Sequence, residues 1–201
     1  MWGMAKQRYH HGDLAAALVE EGLTACRSQG PSGLVVRDLA ARVGVSPAAA
    51  DRHFASLEHL RAAVSQRARE ELGQRLLAAQ AAVREGRSPA DAARDRLYAI
   101  GSAYVRFALE EPRLFDTAFV PHAVPLERPD DPDAWRVLVG AIDAMVDAGA
   151  TPESLRAEAP WIAWSAVHGL ASILVQAGLP EPQDPERLLE GVLLGVQRAL
   201  R

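Results

Sequence analysis

Arg37, Arg42, Arg52 and His53 are the basic side chains of Val36–Phe54, a stretch whose spacing would carry them on two short helices joined at a corner. Leu39, Ala40 and Val43 fall at i, i+1 and i+4, the pattern of one buried helical stripe. Gly44 follows the last apolar position, where a chain leaving a helix most readily turns left-handed. Val45 then plugs the corner. Ser46 is a good N-cap, and Pro47 suits the first position of a second helix, expected over about Pro47–Phe54. Ala40 leaves room for that helix to cross close by. Helix, glycine-containing turn and helix make the motif whose second helix enters the major groove of DNA. The candidate DNA-contacting residues are Arg37, Ser46, Pro47, Ala48, Ala49, Asp51, Arg52 and His53.

Charge is distributed to match. Of 22 Lys or Arg and 26 Asp or Glu, nine basic and seven acidic residues fall within 1–70, so that part carries +2 against a chain total of −4. A mildly basic head on an acidic body fits nucleic-acid binding in which two recognition helices act together, about one DNA turn (~34 Å) apart, on a palindromic double-stranded operator. No catalytic constellation stands out. There is no Gly-x-Ser-x-Gly, phosphate-cradling glycine loop, His-Glu-x-x-His or cysteine pair, and Cys26 is the lone cysteine. Neither an enzyme, a cofactor nor a metal site is expected; His10-His11 reads as a solvated pair. No apolar stretch approaches the ~20 residues that span a bilayer, and no signal peptide precedes Gly12, so a soluble cytoplasmic protein is expected.

The residues around the turn carry a resemblance. Tyr9-His-His-Gly-Asp-Leu14, one helix, Gln29-Gly30, the helix-turn-helix and Arg52-His-Phe-Ala-Ser-Leu-Glu-His-Leu60 resemble the N-terminal domain of the TetR (tetracycline-repressor) family of bacterial regulators. Trp164-Ser-Ala-Val-His-Gly-Leu170 is similar to the Trp-His-Gly motif that names the WHG branch. The resemblance implies a helix-turn-helix domain over 9–57 and a ligand-binding and dimerisation domain over 58–201. It also marks three departures. Asp51 stands where the family has a phosphate-contacting Tyr, Leu57 where it has a Lys, and Val35 where a Thr or Ser opens the second helix. One of these puts a negative charge toward a polyanion. Asp51 has an alternative to facing DNA, an ion pair with Arg52 or Arg37.

An all-α fold of about nine helices is expected. Asp13 to about Ser28 reads as the first helix, with Gly22 inside it at a cost of ~1 kcal/mol against alanine. Ser56 caps a long fourth helix along which Leu57, Leu60, Val64, Ala68, Leu72 and Leu76 keep helical steps. Gly86, Ser88 and Pro89 mark a loop before a fifth helix, Ala90–Leu109. Pro112 opens a short sixth through Phe119, and 122–132 reads as a loop, either disordered or a lid. Helix seven covers about Asp133–Asp147. Helix eight is kinked or started by Pro160 and ends before Gly178. Asp184-Pro185 opens helix nine. The stripe Leu188, Leu189, Val192, Leu193, Val196 and Leu200 is wider than one helix face needs. By the resemblance, helices eight and nine of two subunits form a four-helix bundle, to which the small residues Gly169, Ala171, Ser172, Gly191 and Gly195 give close approach. By the same resemblance the body encloses a pocket for a small-molecule effector. Its candidate lining is Tyr104, Phe107, Phe115, Phe119, Trp135, Trp161, Trp164 and His168, with Arg106 and Arg113 as anchors for an anionic ligand. Core packing is the alternative role for each of these aromatics. The function expected is a ligand-responsive repressor. A dimeric helical ligand-binding protein of the same fold, with weak or lost DNA affinity, is the alternative.

Overall fold

Capping side chains and prolines set most helix starts in the computed structural model, which describes residues 11–84, 88–124, 133–175 and 184–201. Tyr9, His10, Gly86, Gly178 and most of the 122–132 segment lie outside the described residues. Ser46, Ser88, Asp133 and Asp184 each accept a backbone N–H of the turn they open, and prolines follow at 47, 89 and 185. Among the described residues the order is α1 (His11–Gln29), a 3₁₀ turn (Gly30–Gly33), α2 (Val36–Val43), α3 (Pro47–Ala50), α4 (Leu57–Ala81), α5 (Pro89–Glu110), α6 (Pro112–Phe119), α7 (Ala134–Asp147), a second 3₁₀ turn (Glu153–Leu155), α8 (Ala159–Val175) and α9 (Pro185–Ala199). The fold is all-α, as expected.

Two compact units divide the chain: Met1–Ala68 with Asp116–Arg128, and Arg69–Phe115 with Pro129–Arg201. The division expected at 57/58 coincides with the start of α4, whereas the compact units part further along that helix.

In the first unit α1, α2 and α4 bury Leu18, Cys26, Leu34, Leu39, Leu60 and Val64. Gly22 has a reason to be glycine: a Cβ there would sit 2.7 Å from Val64 Cγ2 and 3.0 Å from Leu34 Cδ2. Arg42 and Arg67 reach α1 through Glu21 and Glu20, at 3.0 and 2.6 Å. The buried Ser65 hydroxyl donates to the Ala118 carbonyl, fixing the end of α6 to α4.

In the second unit α5 is the central helix, packed by α7, α8 and α9. Gly101 permits this, since a Cβ there would lie 2.5 Å from Leu193 Cδ2. Arg156 holds the end of α7 to the following turn, donating to Asp143, Asp147 and Glu153 at 2.7–2.8 Å. On α9 the wide stripe resolves into two faces. Leu189, Leu193, Val196 and Leu200 are buried in this unit, whereas Leu194, Gly191 and Gly195 are exposed. Ile162 and Ile173 of α8 are exposed as well.

Candidate nucleic-acid interface and effector cavity

The turn between α2 and α3 is built as the residues require. Gly44 takes φ +78°, the Gly44 N–H donates to Ala41 O, and the Val45 N–H reaches back to Ala40 O at 2.9 Å. This six-to-one and five-to-two pair is a Schellman motif, which satisfies the carbonyls left open at a helix end. Ala40 and Ala50 are buried at the crossing of the two helices. α3 is shorter than expected: it spans Pro47–Ala50, and the path to His53 continues as a tight turn with His53 N–H donating to Ala50 O. One helical turn started by Ser46-Pro47 gives way to a three-residue-per-turn bond before the chain must reverse toward α4.

The expected contact residues differ in exposure. Pro47, Ala48, Asp51 and Arg52 are exposed, Ala49 and His53 are half-buried, and Ser46 is spent on capping Ala49 N–H. Arg52 does not pair with Asp51; its Nε donates to the Ala48 carbonyl. Arg37 pairs with Asp38 at 3.5 Å. Asp51 therefore has no ion-pair partner among the described residues, and the intrahead pairing considered for it is not formed. Val35, the N-cap of α2, contributes no side-chain cap and is exposed. Leu57 opens α4, where Ser56 and His59 share a 2.8 Å hydrogen bond instead of presenting a cation. The apolar Ala48 methyl can meet a thymine methyl, and Asp51 can accept from a cytosine amino group.

In the second unit, six of the eight predicted lining aromatics meet. Trp161, 62% exposed, lies against Trp135 with ring centroids 4.5 Å apart. Trp135 meets Trp164 edge-on at 5.7 Å, and Trp164 stacks on His168 at 5.6 Å with planes 13° apart. Tyr104 packs edge-on against Trp164 and Phe115, and its hydroxyl lies 2.7 Å from His168 Nδ1. Burial pushes the Tyr104 phenol up, against the opposing pull of the nearby Arg69 charge, and it pushes the His168 imidazole down. Both groups are neutral near pH 7, and the hydroxyl and Nδ1 share one hydrogen bond whose donor is set by the imidazole tautomer.

Tyr104, Trp164 and His168 border a cavity of about 30 Å³ whose other walls include Leu76, Leu97, Ile100, Leu138, Val167 and Leu193. That volume suits about one water molecule. Phe107 is placed elsewhere: it is fully buried beneath the Arg75 guanidinium, 5.1 Å from its ring centre, at the floor of an open groove of about 800 Å³. Phe119, at the end of α6, belongs to the first unit and is half-buried there. Arg106 pairs with Glu186 at 3.2 Å on the groove side, and Arg113 is exposed. The cation near the aromatic cluster is instead Arg69, which sequence reading missed. Burial lowers its pKa, and the charge of Asp133 opposes that shift. Its signal was its place between Ala68 and Leu72, inside the apolar stripe of α4. Among the described residues no three metal-ligating side chains converge, and no helix is long and apolar enough to cross a membrane.

Residues 97–196 match a family model described as the tetracyclin repressor-like C-terminal domain. A protein with unknown function from Rhodococcus sp. RHA1 has a similar structure, with TM-score 0.74 and 23% identity over 97% of this chain and 99% of that one. So does a TetR-family transcriptional regulator from Pectobacterium atrosepticum, with TM-score 0.65 and 20% identity over 98% and 96% of the two chains. The chain has the TetR fold. A TetR from Streptomyces coelicolor is also similar, with TM-score 0.56 and 22% identity over 92% and 98%. Among curated proteins nothing matches the sequence. The Tyr104–Trp164–His168 cluster lies within the residues that the family model covers.

Proposed function

We propose that this protein is a dimeric, cytoplasmic transcriptional regulator that binds a palindromic DNA operator and releases it when a small molecule enters the second unit. The reading is carried by the glycine-cornered α2–α3 pair, with Pro47, Ala48, Asp51 and Arg52 exposed, in a TetR fold. Trp164 and His168, in a Trp-x-x-x-His-Gly sequence, support the WHG branch. Dimerisation through α8 and α9 is supported by their outward faces, where a Cβ on Gly169, Gly191 or Gly195 would meet nothing. Swelling of the cavity displaces Leu76 of α4, a helix that begins at Leu57 beside the helix-turn-helix. A ligand shifts DNA binding only by its preference for one of the two states.

The test is a gel shift against DNA flanking the protein's own gene, titrated with salt. Arg37→Ala and Arg52→Ala each weaken binding to every sequence and flatten the log–log salt slope by about one unit. Unchanged slopes in both variants remove these arginines from the interface. A second reading, a ligand-binding dimer with little DNA affinity, is favoured by the unpaired, exposed Asp51 and by the engagement of Arg37 and Arg52 within the head. Absence of binding to that DNA at low salt selects it.

A further inference from the structure

Resting on the effector-cavity reading, we infer that the cavity takes an uncharged, flat, mostly apolar ligand that enters past the Trp161–Trp135 pair. Three observations carry this. First, the rings form a continuous track from the surface inward. Centroid separations are 4.5 Å from Trp161 to Trp135, 5.7 Å to Trp164 and 5.6 Å to His168, so a planar molecule exchanges one ring contact for the next. Only its first member, Trp161, is mostly exposed.

Second, the polar groups at the inner end already serve each other. The Tyr104 hydroxyl and His168 Nδ1 are 2.7 Å apart, and the Arg69 charge is set against Asp133. A carboxylate entering this space would have to compete with Asp133 for the Arg69 charge. An ammonium would have to compete with Arg69 for the Asp133 carboxylate. Burial of a charge without its own partner is strongly unfavourable. Third, the remaining walls are aliphatic, and the present volume of about 30 Å³ means that any larger occupant must part the side chains. A flat ring system does so with the least displacement.

Asp133 becomes a specificity-determining residue. Its Oδ1 caps α7 by accepting the Arg136 N–H, a role that asparagine also fills, so Asp133→Asn removes the charge and keeps the helix start. The experiment is a calorimetric titration of the full chain with 2-naphthol, 2-naphthoate and 2-naphthylmethylammonium, three probes of one shape and different charge. Naphthol is expected to bind at least about tenfold more tightly than either ion, a difference of about 1.4 kcal/mol. Ala163→Leu, which fills the cavity from a buried wall position, is expected to abolish naphthol binding. Should it fail to fold, Ala163→Val takes its place. Asp133→Asn is expected to bring naphthoate severalfold closer to naphthol, and Trp161→Ala to change the association rate.

Naphthoate binding most tightly, and losing that binding in Ala163→Leu, overturns the charge assignment and leaves the cavity standing. An association rate unchanged by Trp161→Ala overturns the entry route. Naphthol that fails to bind, or binds Ala163→Leu as well as wild type, refutes the effector cavity itself and this inference with it.

Discussion

Ile173→Glu separates an assembly face from an ordinary surface, because this residue is 52% exposed within a single chain. On a face that stays in water such a substitution changes stability by no more than about 0.5 kcal/mol. Glutamate is also a somewhat better helix former than isoleucine, so α8 itself is not weakened. Buried against a second copy, the same carboxylate loses its hydration without gaining a partner, at several kcal/mol per ion. Two-fold symmetry counts it twice. At about 3 kcal/mol each, the dimer dissociates roughly ten-thousandfold more readily, since 1.4 kcal/mol is a factor of ten. Sedimentation velocity at micromolar concentration is the assay, with urea unfolding of the resulting monomer beside it. Expected are a monomer and an unfolding transition that remains cooperative. Leu194→Glu, at 38% exposure on α9, is expected to act in the same way. Val196→Glu, at 6% exposure, is expected to unfold the chain, because its burial is intrachain. An Ile173→Glu protein that stays dimeric with unchanged affinity refutes the placement of the interface on α8 and α9.

Replacing Asp51 with Tyr removes a like charge from each head and adds a phosphate-directed hydroxyl, at ~1–2 kcal/mol per contact, so operator binding in the gel shift tightens about tenfold or more. Weaker binding, or a changed sequence preference, marks Asp51 as a reader of cytosine instead. Gly22→Ala gains ~1 kcal/mol in helix propensity but overpacks Val64 and Leu34, both almost fully buried, at ~1–3 kcal/mol, so urea unfolding shifts to lower denaturant. Gly101→Ala meets only the far end of Leu193, a side chain bordering the cavity, and its loss is smaller. A Gly101→Ala loss larger than that of Gly22→Ala refutes the packing argument. The His168 pKa is held below its ordinary value by burial, so the unfolded chain takes up the proton first. Its contribution to stability is therefore complete above the unfolded pKa of about 6.5 and is lost as pH falls through the folded value. His168→Gln removes that part of the acid-side slope, and an identical pH–stability profile in the variant contradicts it.

How much was legible depended on whether the signal was local. The caps Ser46 and Asp184, the prolines after them and the Gly44 corner act through neighbours one to five residues away, so residue type alone placed them. The length of α3 was not legible. Ala-Ala-Ala-Asp-Arg-His-Phe is compatible with two helical turns, and the early end comes from where the chain must go next. The two faces of α9 were equally hidden. Leu188–Leu200 is apolar on more than one side, and only tertiary packing decides that Leu189, Leu193 and Val196 turn inward while Leu194 turns out. Phe107 looked like its neighbour Tyr104 in sequence, yet it lies under Arg75 because α5 presents successive turns to different partners.

Under the proposed function, the charge balance and the assembly face constrain each other. Residues 1–70 carry only +2, and the engagement of Arg37 and Arg52 within the head lowers what they offer a phosphate further. At about 0.9 log units of salt dependence per neutralised phosphate, two arginines per head give a slope near −2 for one head and near −4 for two. One such head holds DNA weakly at physiological salt. The second supplies affinity as an intramolecular event, provided that the linkage keeps both recognition elements about one DNA turn apart. A protein with this head therefore needs the outward faces of α8 and α9 more than a strongly basic one would. By the same reasoning, in the regulator proposed above a ligand that disturbs the spacing of two heads would be enough to release an operator without touching the surface that meets DNA.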